Sequence, residues 1–351
     1  MRDVAIVGFA QRQLQNYDGS PTCAELLVPI LAECYQQTGW TKKDVGFWCS
    51  GSSDYLAGRS FSFVSAIDAI GVLPPVNESH VEMDAAWALY EAWLKIQSGE
   101  VDTAIAFAFG MSSAGELRRT LALQLDPYTM TPLWPDTVSL AALQARLGID
   151  AGVWDEAAMA DVVENSMSAA EGNPNAVRKG KRTREELLAK PMFADPLRKH
   201  DCAPVTDGAV ALVLAAGDKA REIQENPAWI TGFSHITDGL HLGTRDLTTS
   251  LSAERAAAGG GGTAGVDVAE LHAPFSHQEL ILRSALGLGD DVIINPSGGS
   301  LGGNPMFAGG AIRLGEAAKR IWDGSAQKTL GHATSGPALQ QNLVCILEGA
   351  N

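Results

Sequence analysis

Cysteine is sparse in this chain. Its 351 residues include five, Cys23, Cys34, Cys49, Cys202 and Cys345, and no two stand in CxxC spacing. Neither a disulfide framework nor a thiolate zinc site is therefore indicated; free, buried thiols are expected, and no metal ligand set. Basic residues are outnumbered, with 26 Lys and Arg against 41 Asp and Glu and a net charge of -15. A chain so acidic repels a phosphate backbone, which argues against nucleic acid as a partner. No apolar run approaches the roughly 20 residues of a membrane-spanning helix. Met1-Arg2-Asp3 leads directly into the strand-like run Val4 to Phe9, unlike a signal peptide, so a cytoplasmic protein with no membrane partner is expected. Tyrosine is scarce and lopsided: Tyr17, Tyr35, Tyr55, Tyr90 and Tyr128 all lie in the first half.

What is present is the composition of a compact globular protein, 46% hydrophobic and 19% charged. Short β-branched runs alternate with amphipathic stretches, the pattern of strands joined by helical crossovers in an α/β fold. Val4 to Phe9, Val45 to Ser50 and the wholly apolar Thr103 to Phe109 read as strands; Cys23 to Thr38 and Ala85 to Ser98 read as helices. The second half repeats the first in order. Trp229 to Phe233 echoes Ala5 to Phe9, Val266 to Ala269 echoes Lys43 to Gly46, and Arg320 to Gly324 echoes Lys95 to Gly99. The expected architecture is a duplicated unit, with a first half over residues 1–225 and a second over 226–351. Residues 111–198 break the rhythm and read as an inserted cap, a natural place for specificity. Its basic run, Arg178 to Arg184, is either a solvated loop or a contact for coenzyme A phosphates.

The densest glycine signal is Val292 to Gly310, VIINPSGGSLGGNPMFAGG, a strand end, a loop without side-chain bulk and the start of a small-residue helix. Such a loop lets something approach the backbone closely. It resembles the NPSGG and GHP segment of thiolase-superfamily enzymes. Glu270 to Ser276 (ELHAPFS) looks like the ELHDCFS motif of the sterol-carrier-protein-x branch, Thr206 to Ala209 like SDGA, and Ala338 to Leu343 like ALQHNL. Ile96-Gln97-Ser98-Gly99 and Met111-Ser112 match the branch's IQGG and MS positions. The resemblance covers nearly the whole chain and implies the thiolase fold, with duplicated βαβαβαββ halves in five αβαβα layers.

The departures fall on the chemical groups. The segment that would hold the nucleophilic Cys reads Val81-Glu82-Met83-Asp84-Ala85-Ala86-Trp87, the second Cys position is Pro274, and the GHP His is Asn304. Thiolytic cleavage needs a thiolate, so this reading excludes it, together with Cys-dependent condensation. Related Cys-less members cleave a 3-hydroxyacyl-CoA by a retro-aldol reaction, which needs a proton acceptor and donors for the enolate oxygen but no acyl-enzyme. The resemblance therefore implies a carbon-carbon lyase acting on a bulky acyl-CoA, such as one with a steroid side chain, with coenzyme A as part of the substrate and no resident cofactor.

His272, His277 and His332 are the candidate proton carriers, because an unperturbed imidazole titrates near neutrality. Asn304 is a candidate oxyanion donor. Asp84, in the vacated nucleophile segment, is either a site carboxylate or a complement to a helix dipole. Ser297, Gly298, Gly299, Gly302, Gly303 and Phe275 are the candidate substrate-binding positions. Tyr55 joins them as the tyrosine able to reach the site from a strand end. The resemblance also implies a homodimer or a heteromer with another thiolase-like chain, and a zinc-ribbon and OB-fold partner protein. The rival expectation is a catalytically silent subunit of such a complex. The shortened, glycine-rich segment Ser252 to Ala264 fits either one.

Overall fold

The computed structural model describes residues 2–14, 22–57 and 60–350; Tyr17 lies outside them. In the first half the order is β1 (Val4–Leu14), α1 (Cys23–Thr38), β2 (Phe47–Gly51), α2 (Asp54–Ala57), α3 (Ser62–Ile70), β3 (Glu78–Val81), α4 (Ala85–Gln97) and β4 (Thr103–Met111). Residues 112–204 carry α5 (Leu117–Ala122), α6 (Thr137–Asp150), α7 (Glu156–Ala169), α8 (Arg184–Leu188) and the small hairpin β5 (Met192–Ala194) and β6 (Leu197–Arg198). The chain then returns through β7 (Val205–Ala216) and α9 (Gly217–Ile223). The second half comprises β8 (Ala228–Thr237), α10 (Leu251–Gly259), β9 (Val268–Glu270), α11 (Ser276–Ala285), β10 (Ile293–Ile294), α12 (Gly299–Gly302), β11 (Asn304–Pro305), α13 (Gly309–Trp322), β12 (Lys328–Ser335) and β13 (Gln341–Glu348).

The sequence echo corresponds to a repeated topology. In the first half β1 pairs antiparallel with β7, β7 antiparallel with β4, and β4 and β3 flank β2 in parallel. In the second half β8, β13, β12, β9 and β10 repeat those relations in the same order. The two sheets also touch: Ala5 and Ile6 of β1 pair with Trp229 and Ala228 of β8, joining the strands into one path.

Alternation along the strands distributes side chains to two faces. The inner faces of both sheets bury Ile6, Phe47, Leu212, Leu343 and Leu347 against α4 and α13, the middle layer. The outer face of the first sheet packs on α1 and α3, and that of the second on α10 and α11. The middle helices are crowded on every side, and α13 buries 11 of its 14 residues. Small residues permit this: a side chain at Gly315 would collide with the Phe9 ring.

Helix boundaries follow local chemistry. Thr22 and Glu25 form a capping box at the start of α1, and Gly39 ends it in the left-handed region at φ 69°. The glycine run Gly259 to Gly262 seats the end of α10 on β8, where Gly232 faces the Gly260 carbonyl with no room for a side chain.

One buried ion pair ties the middle layer to the second sheet. Arg313 of α13 meets Glu270 of β9 at 2.9 Å, both nearly inaccessible, and Ser297 Oγ bridges them, donating to Glu270 Oε2 at 2.7 Å. Desolvation nonetheless holds the Glu270 carboxyl above its ordinary range, outweighing the guanidinium. Breaking such a pair from one side strands a buried charge. Arg313→Met is expected to lower stability by about 3–5 kcal/mol in urea denaturation; an unchanged midpoint would contradict that role.

Candidate active site

A cavity of about 410 Å³ opens where the N-terminal ends of the two middle helices meet residues 112–204. That volume suits a small-molecule ligand. Asp84, His272 and Asn304 line it together, and Leu117, Leu121, Val138, Phe275 and Phe307 make much of its wall apolar.

His272 follows β9, and its two ring nitrogens are both engaged. Nδ1 accepts the Thr334 backbone N–H at 3.3 Å, which leaves the ring proton on Nε2; that N–H donates to Asn304 Oδ1 at 2.9 Å. Burial pushes the His272 pKa down to about 4, so the imidazole is neutral near pH 7. Asn304 is in turn held by β11, its N–H donating to Thr206 Oγ1 at 3.0 Å. With Oδ1 committed to His272, the Asn304 side-chain amide has its N–H groups free as donors at the cavity. Gly309 makes the contact possible, since a Cβ there would overlap Asn304 Oδ1 and lie 3.1 Å from His272 Nε2.

Asp84 caps two helices at once. Its carboxylate accepts from Ala86 N–H of α4 at 2.9 Å and from Gly310 and Ala311 N–H of α13, each at 2.9 Å. Desolvation raises its pKa above the ordinary carboxylate range, against these three bonds. The side chain is thus a helix-dipole complement and a cavity-lining carboxylate simultaneously.

A search of family models finds no match to this chain. By sequence the chain is similar to the acetyl-CoA acetyltransferase of Methanothermobacter thermautotrophicus, 26% identical over 92% of this chain and 91% of that one. It is also similar to sterol carrier protein 2 of Gallus gallus, 24% identical over 77% of this chain and 56% of the relative. Among solved structures, the Ltp2-ChsH2(DUF35) aldolase superposes with a TM-score of 0.82 at 17% identity, covering 99% of this chain and 97% of that one. The chain has the thiolase fold. Its sequence resemblance to the thiolase superfamily extends over nearly its whole length.

Within this thiolase fold the other expected site residues are distributed unevenly. Phe275 lines the cavity. His277 does not: its ring is buried between Trp154 and Phe275, with Nε2 on Gln144 Oε1 at 3.1 Å and burial driving its pKa to about 3. His332, in the middle of β12, is equally enclosed, donating from Nε2 to Asn342 Oδ1 at 2.9 Å, with its pKa also pushed to about 3. Both rings are too deeply packed to exchange protons with a ligand in the cavity. Ser297 is consumed by the Glu270 and Arg313 network.

The glycine loop faces the chain's own inserted segment. A Cβ on Gly298 would lie 2.6 Å from Ala170 Cβ, and the Gly302 carbonyl accepts the N–H groups of Val177 and Arg178 at 2.9 and 2.8 Å. Gly299 stands against the Asn295 side chain and Gly303 against Gln13. The close approach that the glycines permit is therefore by polypeptide, and these positions do not line the cavity. Tyr55 is exposed on α2 and is not among the lining residues.

Other lining residues carried little or no sequence signal. Arg118, Arg178 and Lys199 bring three cations to a cavity of an acidic protein. Arg118 pairs with Asp136 and lies over the Phe193 ring, and Arg178 donates to the carbonyls of His200 and Cys202. Only Arg178 stood out beforehand, as the first residue of the basic run. Cys202 is the one cysteine on the wall, and burial raises its pKa to about 12, so it is a thiol at neutral pH. Cys34 and Cys49 are likewise pushed up to about 12.

Two outcomes follow. Asp84→Ala strands three helix-end N–H groups and is expected to cost about 2–4 kcal/mol of stability; a loss under about 0.5 kcal/mol would show that the caps are dispensable. His277 is neutral when folded and titrates near 6.5 when unfolded, so its stabilising effect is full above pH 6.5 and is lost as pH falls toward 3. Replacing it by Gln is therefore expected to reduce the slope of stability against pH between 6 and 4 by about 1 kcal/mol per pH unit. An identical slope in chemical denaturation would contradict a buried neutral imidazole.

Proposed function

We propose that this protein is an acyl-CoA carbon-carbon lyase that cleaves a 3-hydroxyacyl-CoA by retro-aldol chemistry without an acyl-enzyme. The observation that carries the reading is the Asn304 amide, oriented by neutral His272 so that a donor faces an acyl-sized cavity. Cleavage requires removal of the 3-hydroxyl proton, rupture of the bond between C2 and C3, and collapse of that electron pair into an enolate on the thioester oxygen. The products are a carbonyl compound and, after protonation at C2, a shorter acyl-CoA. A donor preorganised at the enolate oxygen typically contributes about 3 kcal/mol to lowering such a barrier.

His272 has no nitrogen left for proton transfer, so its role is to position Asn304. Asp84 is the lining group suited to take the hydroxyl proton, with a pKa raised by burial toward the range useful for a base. Cys202 stays protonated and is a poor nucleophile. The cations Arg118, Arg178 and Lys199 suit the phosphates of coenzyme A, which enters as part of the substrate. The name of the solved neighbour, Ltp2-ChsH2(DUF35) aldolase, supports an aldolase that works as a heteromer with a DUF35 partner. A zinc-ribbon and OB-fold character for that partner, and a bulky substrate such as a steroid side chain, are what the sequence resemblance implies.

One observation favours the silent-subunit alternative: three backbone N–H groups already occupy the Asp84 carboxylate. Kinetics of the purified complex on a 3-hydroxyacyl-CoA with a bulky C3 substituent separate the two. For a lyase, Asn304→Ala is expected to lower kcat by about 10²–10³-fold and His272→Ala by about 10²-fold, with assembly intact. The wild-type rate should also fall as acid protonates Asp84. Unchanged turnover in both variants would assign the chemistry to another chain.

A further inference from the structure

Gln278 occupies an unusual position. It is 4% exposed, lies in the first turn of α11, lines the cavity, and its Oε1 has no hydrogen-bond partner. Buried acceptors are rarely left unsatisfied. The direction in which this amide points is dictated from behind. Leu247 contributes a backbone carbonyl, which can only accept, and it receives Gln144 Nε2 at 3.0 Å. Gln144 must therefore turn Oε1 the other way, where it accepts from Gln278 Nε2 at 3.1 Å and from His277 Nε2 at 3.1 Å. Gln144 is fully buried, so water cannot relieve the constraint. The one arrangement that satisfies this relay leaves Gln278 Oε1 as a fixed, unpartnered acceptor on a residue that lines the cavity.

We infer that Gln278 is a specificity residue for the ligand of this cavity, requiring a neutral hydrogen-bond donor, an O–H or an N–H, opposite its Oε1. The inference rests on the acyl-CoA reading and adds to it. With Asn304 presenting a donor and Gln278 an acceptor, the cavity carries two polar anchors of opposite sense, each locked by backbone groups. Ser112 Oγ, also buried, unpartnered and lining the cavity, is a third anchor, free to rotate and so without preference for either sense. The donor belongs either to the acyl group, as a hydroxyl, or to the pantetheine arm, as an amide. A site that relies on a buried polar partner discriminates strongly against a ligand that leaves it unpaired.

Equilibrium titrations with free coenzyme A, octanoyl-CoA and 3-hydroxyoctanoyl-CoA, on wild type and Gln278→Met, test this. If the donor is an acyl hydroxyl, wild type binds the hydroxy compound at least about tenfold more tightly than octanoyl-CoA, and Gln278→Met abolishes the difference. If it is a pantetheine amide, the variant weakens all three by a similar factor of about ten or more. Gln278→Ala serves the same comparison should the Met variant not fold. Affinities independent of residue 278 would overturn the inference and leave the acyl-CoA reading standing. Failure of folded wild type to bind any of the three would remove both.

Discussion

A single carboxylate joins the two halves of this molecule at its centre. Asp84 closes the N-terminal ends of α4 and α13, the equivalent helices of the duplicated units, with three backbone N–H bonds. Two helix dipoles converge there, and their positive ends would otherwise meet in a dry interior. The carboxylate answers that field at the expense of its own hydration, hence its raised pKa. In the proposed cleavage, a proton taken up by Asp84 leaves those helix ends to face the negative charge of the thioester enolate.

The polar groups around the cavity gain their direction from the backbone rather than from charge. Thr334 N–H fixes the tautomer of His272, which fixes the Asn304 amide. The Leu247 carbonyl fixes Gln144, which fixes Gln278. In both chains a backbone group that can play one role only removes the ambiguity of a side-chain amide. Neutral amides held in this way need no reorganisation when charge appears beside them, and they remain in one state across the physiological pH range. The three buried histidines are neutral because burial desolvates them, while the bond from each Nε2 to an amide oxygen fixes the ring in place.

Much of the fold was legible because its signals are local or repetitive. Cys23 to Thr38 is delimited by a capping box and a left-handed glycine, and the apolar run at Thr103 could only be a buried strand. The repeated order of weak matches anticipated the repeated sheet topology. Of the candidate site residues, His272, Asn304 and Asp84 were singled out through motif positions, and the fold sets all three on one cavity. His277 and His332 were misplaced because a core histidine bonded to an amide has the same local sequence appearance as a site histidine. The glycine loop correctly announced a close approach, but not that the approaching body would be residues 170–178 of the same chain. Arg118, Lys199 and Gln278 reach the cavity through the packing of the inserted segment and α11, which no periodicity records.

The central claim is that bond cleavage here runs through an unattached enolate stabilised by amide donors. Intact-protein mass spectrometry of the complex, quenched during turnover of a 3-hydroxyacyl-CoA, tests it most directly. The account predicts that this chain keeps its unmodified mass while the carbonyl product and shortened acyl-CoA accumulate. An acyl group covalently attached to Cys202, or to any other of the five cysteines, would contradict it.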